Sequence, residues 1–444
     1  MKTFNSNKTH RTSTSAPTRA QILALGFLAL FGALANSLMA QAPCPAVRTF
    51  ATGLFAPSKI IQTTRGDFIV AEGGPEVVNS GRVSVVDRHG HRRTLLDGLP
   101  SARTFVGDFN GTTGVWLKGR TLFILNGQGD VTLAGPVPGT ERANPAPSSP
   151  IFSSVLAVHF SAGMEDTTTG VKLTLADHHA LKAGRTLVRS DARGRRMVIQ
   201  LIADFPDYEP EPRPNFADNV RHSHPYGIVG RGRFLYVADA GFNSVRRVDV
   251  RSGAEETVAL FAPTPNPRLP AGPPVIENVP TSIRWDGHEL LVTLLSGGPF
   301  FLPGYSTVQQ VDPHTGTIAP LITGLSSAID VVPVTRNGRR GESDERSRQR
   351  PPVERSDDDD DDDDGGDGAD DDCDRTLGFL TLEHNLTFPV PGPGRIQFFP
   401  ADGASPIVLA DCLTTPSSMV LDRRGDRVVI AELATGRLLT LELR

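Results

Sequence analysis

Five polar residues recur at matching places in this chain of 444 residues, and their side chains suit either a hard cation or a set of backbone N–H donors. Glu72, Asn126, Asp239, Glu383 and Glu432 each end a short apolar run such as DFIVAE or RVVIAEL, and Leu294 takes the sixth such place. Carboxylates turned toward one face would hold calcium, and a cation there would polarise a lactone or ester carbonyl. The same acids would equally accept hydrogen bonds from the Gly-rich turns that follow them, each stabilising its own unit of a repeat. Both roles fit, and no catalytic residue is assigned.

Other constellations are weaker. Asp360, Asp362, Asp364, Gly365 and Asp371 have the spacing of a calcium loop, but an aspartate run satisfies most of that spacing by composition, and the twelfth ligand is Asp where the longer Glu is usual. His222 and His224 lie two apart on an extended chain and face one side, as a transition-metal pair would; with no third ligand nearby they read as exposed loop histidines. His178 and His179 are adjacent and diverge, and His159 alternates within a strand. There is no Gly-x-Ser-x-Gly elbow, phosphate-binding loop or His-Glu-x-x-His motif.

The elements that would position these residues form a repeat. SKIIQT, DFIVAE, GRVSVVD and RRTLLDGL (58–99) are four short runs bounded by Gly, Asp and Asn turns, the grammar of four antiparallel strands. It returns from Pro225, Pro280, Ala328 and Pro416. Gaps of 54, 113, 55, 89 and 49 residues between successive run ends give a period near fifty, interrupted twice. The reading is an all-β fold, a β-propeller of four-stranded antiparallel blades, with six blades and a seventh as the alternative. The last copy has three strands, and VRTFATGL (47–54) matches the missing fourth, so the N-terminal strand is expected to close the ring. In the longer gap, ADHHALKAG reads as a helix capped by Asp177 and stopped by Gly184, an elaboration of blade two. The shorter interruption, 336–375, is a charged Asp-rich insertion between the first two strands of blade five, with the composition of a disordered surface loop.

Residues 1–40 read as a signal peptide: a basic n-region, then ILALGFLALFGAL, then small residues with a cut after Ala40 or Ala42. An uncleaved anchor is the alternative. The expected product, 41–444, is secreted or periplasmic with no stable membrane insertion. Thirteen aspartates between Asp357 and Asp374 dominate the formal charge of −5, and the folded part is nearly neutral, which argues against a nucleic-acid groove. Of three cysteines, Cys44 and Cys373 are expected to pair if any do, because strand direction puts Cys412 across the thickness of the sheet from Cys44.

GLFAPSKI with FIVAEGG, HPYGI with YVADAGFNSVRRVD, VPTSI with LLSGGPFFLPG, and AIDV resemble the ScyD/ScyE family of exported propellers over Val47–Leu443 apart from the insertion, and more distantly the six-bladed lactonase, gluconolactonase-like and NHL propellers. The chain departs from the family's pattern at Ser223-His224 and Leu294. The resemblance implies no settled activity. Two functions follow: a scaffold binding a small molecule or protein partner, preferred because no full ligand set with a separate base is present, or a metal (calcium)-dependent hydrolase of lactones or esters.

Overall fold

The structure, a computed structural model, describes residues 44–161, 163–298, 301–335, 376–387 and 390–443. The signal-peptide reading, the Asp-rich insertion and its calcium-loop candidates Asp360, Asp362, Asp364 and Asp371 lie outside them. Among the described residues no helix is long and apolar enough to cross a membrane.

Each expected quartet of runs folds as one antiparallel sheet, and six such sheets form the propeller. The innermost strands are Pro57–Gln62, Thr112–Lys118, Pro225–Arg231, Asn278–Trp285, Ala328–Thr335 and Pro416–Leu421. Each packs against the next, and the last against the first, so the ring is closed. Val47–Ala51 pairs with Arg437–Glu442 as the outer strand of blade six, as the missing-strand pattern predicts. Blade two accounts for the long gap: Ser154–Phe160 and Arg196–Asp204 are its third and fourth strands, and Leu187–Ser190 adds a fifth. The helix Leu175–Lys182 lies in the same elaboration; its N-cap is Thr174 and not Asp177, which closes a capping box from the third helical position. The buried side chains that weld the blades are mainly Val, Ile and Leu, with the buried aromatics, among them Phe68, Trp116, Phe123 and Tyr236, confined to blades one to three; these residues suit a pleated surface buried on both faces.

One irregularity repeats in every blade. The inner strand carries a β-bulge near its start: Ser58, Thr113, Tyr226, Thr281, Ile329 and Ser417. A bulge turns that side chain out of its own ladder, and at four junctions its hydroxyl donates to the first carbonyl of the next blade. Ser58 reaches Thr112 O (2.8 Å), Thr113 reaches Pro225 O (2.7 Å), Thr281 reaches Ala328 O (2.9 Å) and Ser417 reaches Pro57 O (2.5 Å). Where the bulged residue is Ile329, His384 Nδ1–H meets Pro416 O instead (2.9 Å). This belt joins neighbouring blades near one end of the axis.

The cysteine expectation is corrected. Cys44 is bonded to Cys412, with α-carbons 5.3 Å apart, and the expected partner Cys373 lies outside the described residues. Two facts defeat the argument from strand direction. Cys44 is not an extended continuation of its strand but begins a turn, closed by Val47 N–H to Cys44 O (3.2 Å). Twist of roughly 20–25° per strand also lays the outer strands obliquely across the blade, so position along an outer strand is no measure of depth through the ring. Cys44 thereby joins the apolar cluster of blades five and six with Ala410, Leu413 and Leu441.

Candidate functional site

The five recurring residues stand at equivalent places, each opposite the first residue of its inner strand: Glu72 with Pro57, Asn126 with Thr112, Asp239 with Pro225, Glu383 with Ala328 and Glu432 with Pro416. They do not converge on a common ligand. Each acid is buried and locked to an arginine of its own third strand: Glu72 to Arg82 (2.7 Å), Asp239 to Arg246 (3.2 Å), Glu383 to Arg395 (2.6 Å) and Glu432 to Arg437 (2.6 Å). Each also accepts a backbone N–H from the chain entering the blade, Phe55, His224, Ser326 and Thr414 respectively. The glutamates reach an N–H two residues before the inner strand; the shorter Asp239 reaches the one immediately before it. The following turn, the expected donor, supplies backbone N–H groups only to Asp239, from Gly241 and Phe242. Asn126, facing Ser154, donates to its hydroxyl (3.0 Å) and to Ile151 O (3.2 Å). A calcium ion does not fit carboxylates already held by guanidinium groups, and among the described residues no three His, Cys, Asp or Glu could share a metal. These acids anchor incoming loops. The sequence signal for their partners was present in the Gly81-Arg82, Gly394-Arg395 and Gly436-Arg437 dipeptides that open the third strands.

Two positions further along the inner strands, the equivalent residues are Lys59, Gly114, Gly227, Ser282, Asp330 and Ser418. Four of them meet across the axis. Asp330 accepts from Ser282 Oγ (2.6 Å), Ser418 Oγ (2.9 Å), Met419 N–H (3.0 Å) and Arg284 (2.8 Å), and Lys59 Nζ lies 3.6 Å away. Burial alone would raise the Asp330 carboxyl, but the Arg284 guanidinium and Lys59 ammonium hold it well below the usual carboxylate range. The two glycines leave room: a Cβ on Gly114 would stand 3.0 Å from the Leu125 side chain, and one on Gly227 3.0 Å from Ile283 N. The channel is thus filled by a charged plug joining blades one, four, five and six, and any ligand at its end meets a closed floor.

At the end of the channel that carries the inter-blade connections and second-to-third-strand turns, blades two and three build a polar cluster. His222 Nδ1 meets both oxygens of Glu141 (2.8 and 2.9 Å), a carboxylate also held by Thr132 Oγ1 (2.7 Å). Next to it His224 Nε2 meets Asn110 Nδ2 (3.0 Å). The two imidazole rings are 6.3 Å apart, on one side as their spacing predicts, yet they are half-buried and engaged, not exposed. Phe105 covers His222 at 5.4 Å, and Tyr226 stands edge-on to His224 at 5.5 Å. Burial, then the neighbouring His222, push His224 down to about 3, so it is a neutral imidazole. Burial, then Asp108 and Asp330, push the Tyr226 phenol up to about 12, so it keeps its proton. Asn110 Oδ1 and Gln128 Oε1 are buried in the same region with no hydrogen-bond partner. Phe55, Val77, Val78, Val106 and Leu133 stand exposed on loops of this face, a rim of apolar groups beside neutral donors and acceptors. Sequence reasoning missed Glu141 and Asn110 because they lie 81 and 114 residues from their partners.

No family model matches the sequence, and no curated protein matches it. Among solved structures the chain is similar to virginiamycin B lyase from Staphylococcus aureus (10% identity over 90% of this chain and 98% of that one, TM-score 0.40). It is also similar to the PQQ-bound aldose sugar dehydrogenase from Streptomyces coelicolor (13%, 90% and 99%, TM-score 0.44) and to an auxiliary nutrient binding protein from Bacteroides thetaiotaomicron (11%, 89% and 75%, TM-score 0.42). These likenesses bring no chemistry to the chain.

Proposed function

We propose that this chain is an exported propeller of the ScyD/ScyE type that binds a small, mainly uncharged molecule at the blade-two and blade-three end of its channel. The observation that carries the reading is the cluster of His222, His224, Tyr226, Glu141 and Asn110 over a closed floor. A neutral imidazole, a neutral phenol and unpaired amide oxygens match hydroxyl, amide or carbonyl groups better than charge, and the apolar rim matches the body that carries them. Export is supported by the leader and by the Cys44–Cys412 bond, a link that persists in oxidising compartments.

A panel of sugars, lactones and aromatic amides screened by thermal shift tests the seat. A ligand of this site stabilises the wild type and loses most of its shift in Asn110→Ala and His224→Ala. A ligand whose shift survives in both variants moves the seat elsewhere.

The Glu141–His222 pair supports a second reading, hydrolysis of lactones or esters with His222 as general base. A carboxylate on Nδ1 orients the ring and leaves Nε2 to take a proton from water. Turnover of a lactone and ester panel that vanishes in His222→Gln, with binding retained, favours this reading; no turnover leaves the binding role.

A further inference from the structure

The opposite end of the ring carries a cleft unrelated to the cluster of His222 and His224. It lies where blade two meets blade three, walled by the turn Lys118–Thr121, the turn Gly232–Phe234 and the turn that follows Asp249. Its main hollow is about 630 Å³, within the range of small-molecule sites. Trp116, Phe123, Val198, Ile202, Phe234 and Val250 make it largely apolar. Beyond Ile202 and Val250 it continues into a second hollow of about 250 Å³ bordered by Arg185, Thr186, Arg251 and Ser252. Arg251 borders both hollows, and the described lining residues of the two include no aspartate or glutamate.

Two glycines let the blades approach this closely. A Cβ on Gly230 would overlap the Trp116 indole, and one on Gly253, which adopts φ 70°, would stand 2.7 Å from Ile202 O. The indole N–H of Trp116 is buried there without an acceptor. Arg233 and Arg247 already lie over the Phe234 ring, at 5.0 and 4.7 Å. Arg233 is also paired with Asp249 (3.0 Å) and Lys118 Nζ donates to Gly232 O across the mouth, so recognition of added negative charge falls to Arg185 and Arg251, both exposed.

We infer that this cleft binds an amphipathic organic anion, with a flat apolar body in the main hollow and one carboxylate or sulfonate between Arg185 and Arg251. An apolar hollow joined to a polar one edged by two guanidinium groups is complementary to such a molecule in both shape and sign.

The test uses 8-anilinonaphthalene-1-sulfonate, with N-phenyl-1-naphthylamine as its uncharged counterpart. The chain has two tryptophans, so in Trp285→Phe the only donor for energy transfer is Trp116. The expected result is saturable binding of one equivalent of the sulfonate, with transfer from Trp116. Affinity falls at least tenfold, about 1.4 kcal/mol, for the uncharged probe and for Arg185→Glu/Arg251→Glu, and Val198→Trp blocks the hollow while circular dichroism stays unchanged. Equal affinity for the two probes, undiminished affinity in the Arg185→Glu/Arg251→Glu protein, or an absence of transfer from Trp116 overturns the assignment. The arginine variant changes exposed residues only, so the test stands even if Val198→Trp misfolds.

Discussion

Cys44 and Cys412 tie the segment that closes the ring to the outer strand of the neighbouring blade, their α-carbons 5.3 Å apart across 368 residues of sequence. Closure therefore has two fastenings: the ladder between Val47–Ala51 and Arg437–Glu442, and a covalent bond from the turn just before it. Peptide mapping without reductant is expected to recover Cys44 linked to Cys412. Cys44→Ser/Cys412→Ser should lose roughly 2–5 kcal/mol in urea unfolding. A map linking Cys44 to Cys373 contradicts the arrangement.

The ladder itself is tested by truncation. Removing residues up to Leu54 leaves blade six with three strands and exposes the edge of Arg437–Glu442. It also uncovers Val429, Ala431 and Leu438, which are buried in one cluster with Ala51 and Leu54. A chain beginning at Phe55, which keeps the N–H that Glu72 accepts, should unfold at a markedly lower temperature and aggregate. If it melts like the parent, blade six does not need its outer strand.

Asp330 faces two cations, Arg284 and Lys59, inside the plug. Asp330→Asn removes the only carboxylate in that described network and leaves both cations buried beside one another. Losing one partner of such a set costs about 3–5 kcal/mol, so the urea midpoint should fall sharply. Lys59→Met in the Asp330→Asn background should recover part of the loss, because it removes one of the two like charges that Asp330 had faced. A loss under about 1 kcal/mol for Asp330→Asn would mean the plug is hydrated.

Period and closure were legible because a blade is a local object. Its four strands follow one another, each marked by alternation and ended by a Gly or Asp turn, and the orphan Val47–Ala51 matched the missing pattern. Contacts across a sheet and between blades left weaker traces. The place of Glu72, Glu383 and Glu432 was visible as a repeat, but their role depended on Arg82, Arg395 and Arg437, which only pairing across the sheet brings opposite. Asp330 stands as one acid in the apolar run AIDVV, and nothing near it in sequence announces Lys59 or Ser418. The disulfide was misread for a related reason: twist and a terminal turn, neither evident in strand order, decide where Cys44 lies.

Stability should fall with acid between pH 7 and 5, and the sign follows from the buried histidines. His224 is pushed down to about 3, and burial also lowers His178 and His384. In the unfolded chain each titrates near the ordinary 6.5. Below that pH the unfolded state binds protons the folded state refuses, and each histidine can contribute a slope of up to about 1.4 kcal/mol per pH unit. Asp207 works the other way. Burial raises its carboxyl to about 6, so between about 6 and its unfolded value near 3.9 it takes up a proton in the fold first and adds stability on acidification. Asp330, held low in the fold, loses its contribution only as pH drops below the unfolded carboxyl range, and so stays constant across this window. Asp67 and Glu255, also raised by burial, act with Asp207, and the three histidines outweigh them because a histidine's unfolded value lies inside this window and a carboxyl's lies below it. Urea midpoints at pH 7, 6 and 5 should therefore decline, and the decline should be shallower in His224→Gln, which has no imidazole there to protonate on unfolding. Parallel declines in the two proteins would show that His224 takes up its proton as readily in the fold as in the open chain.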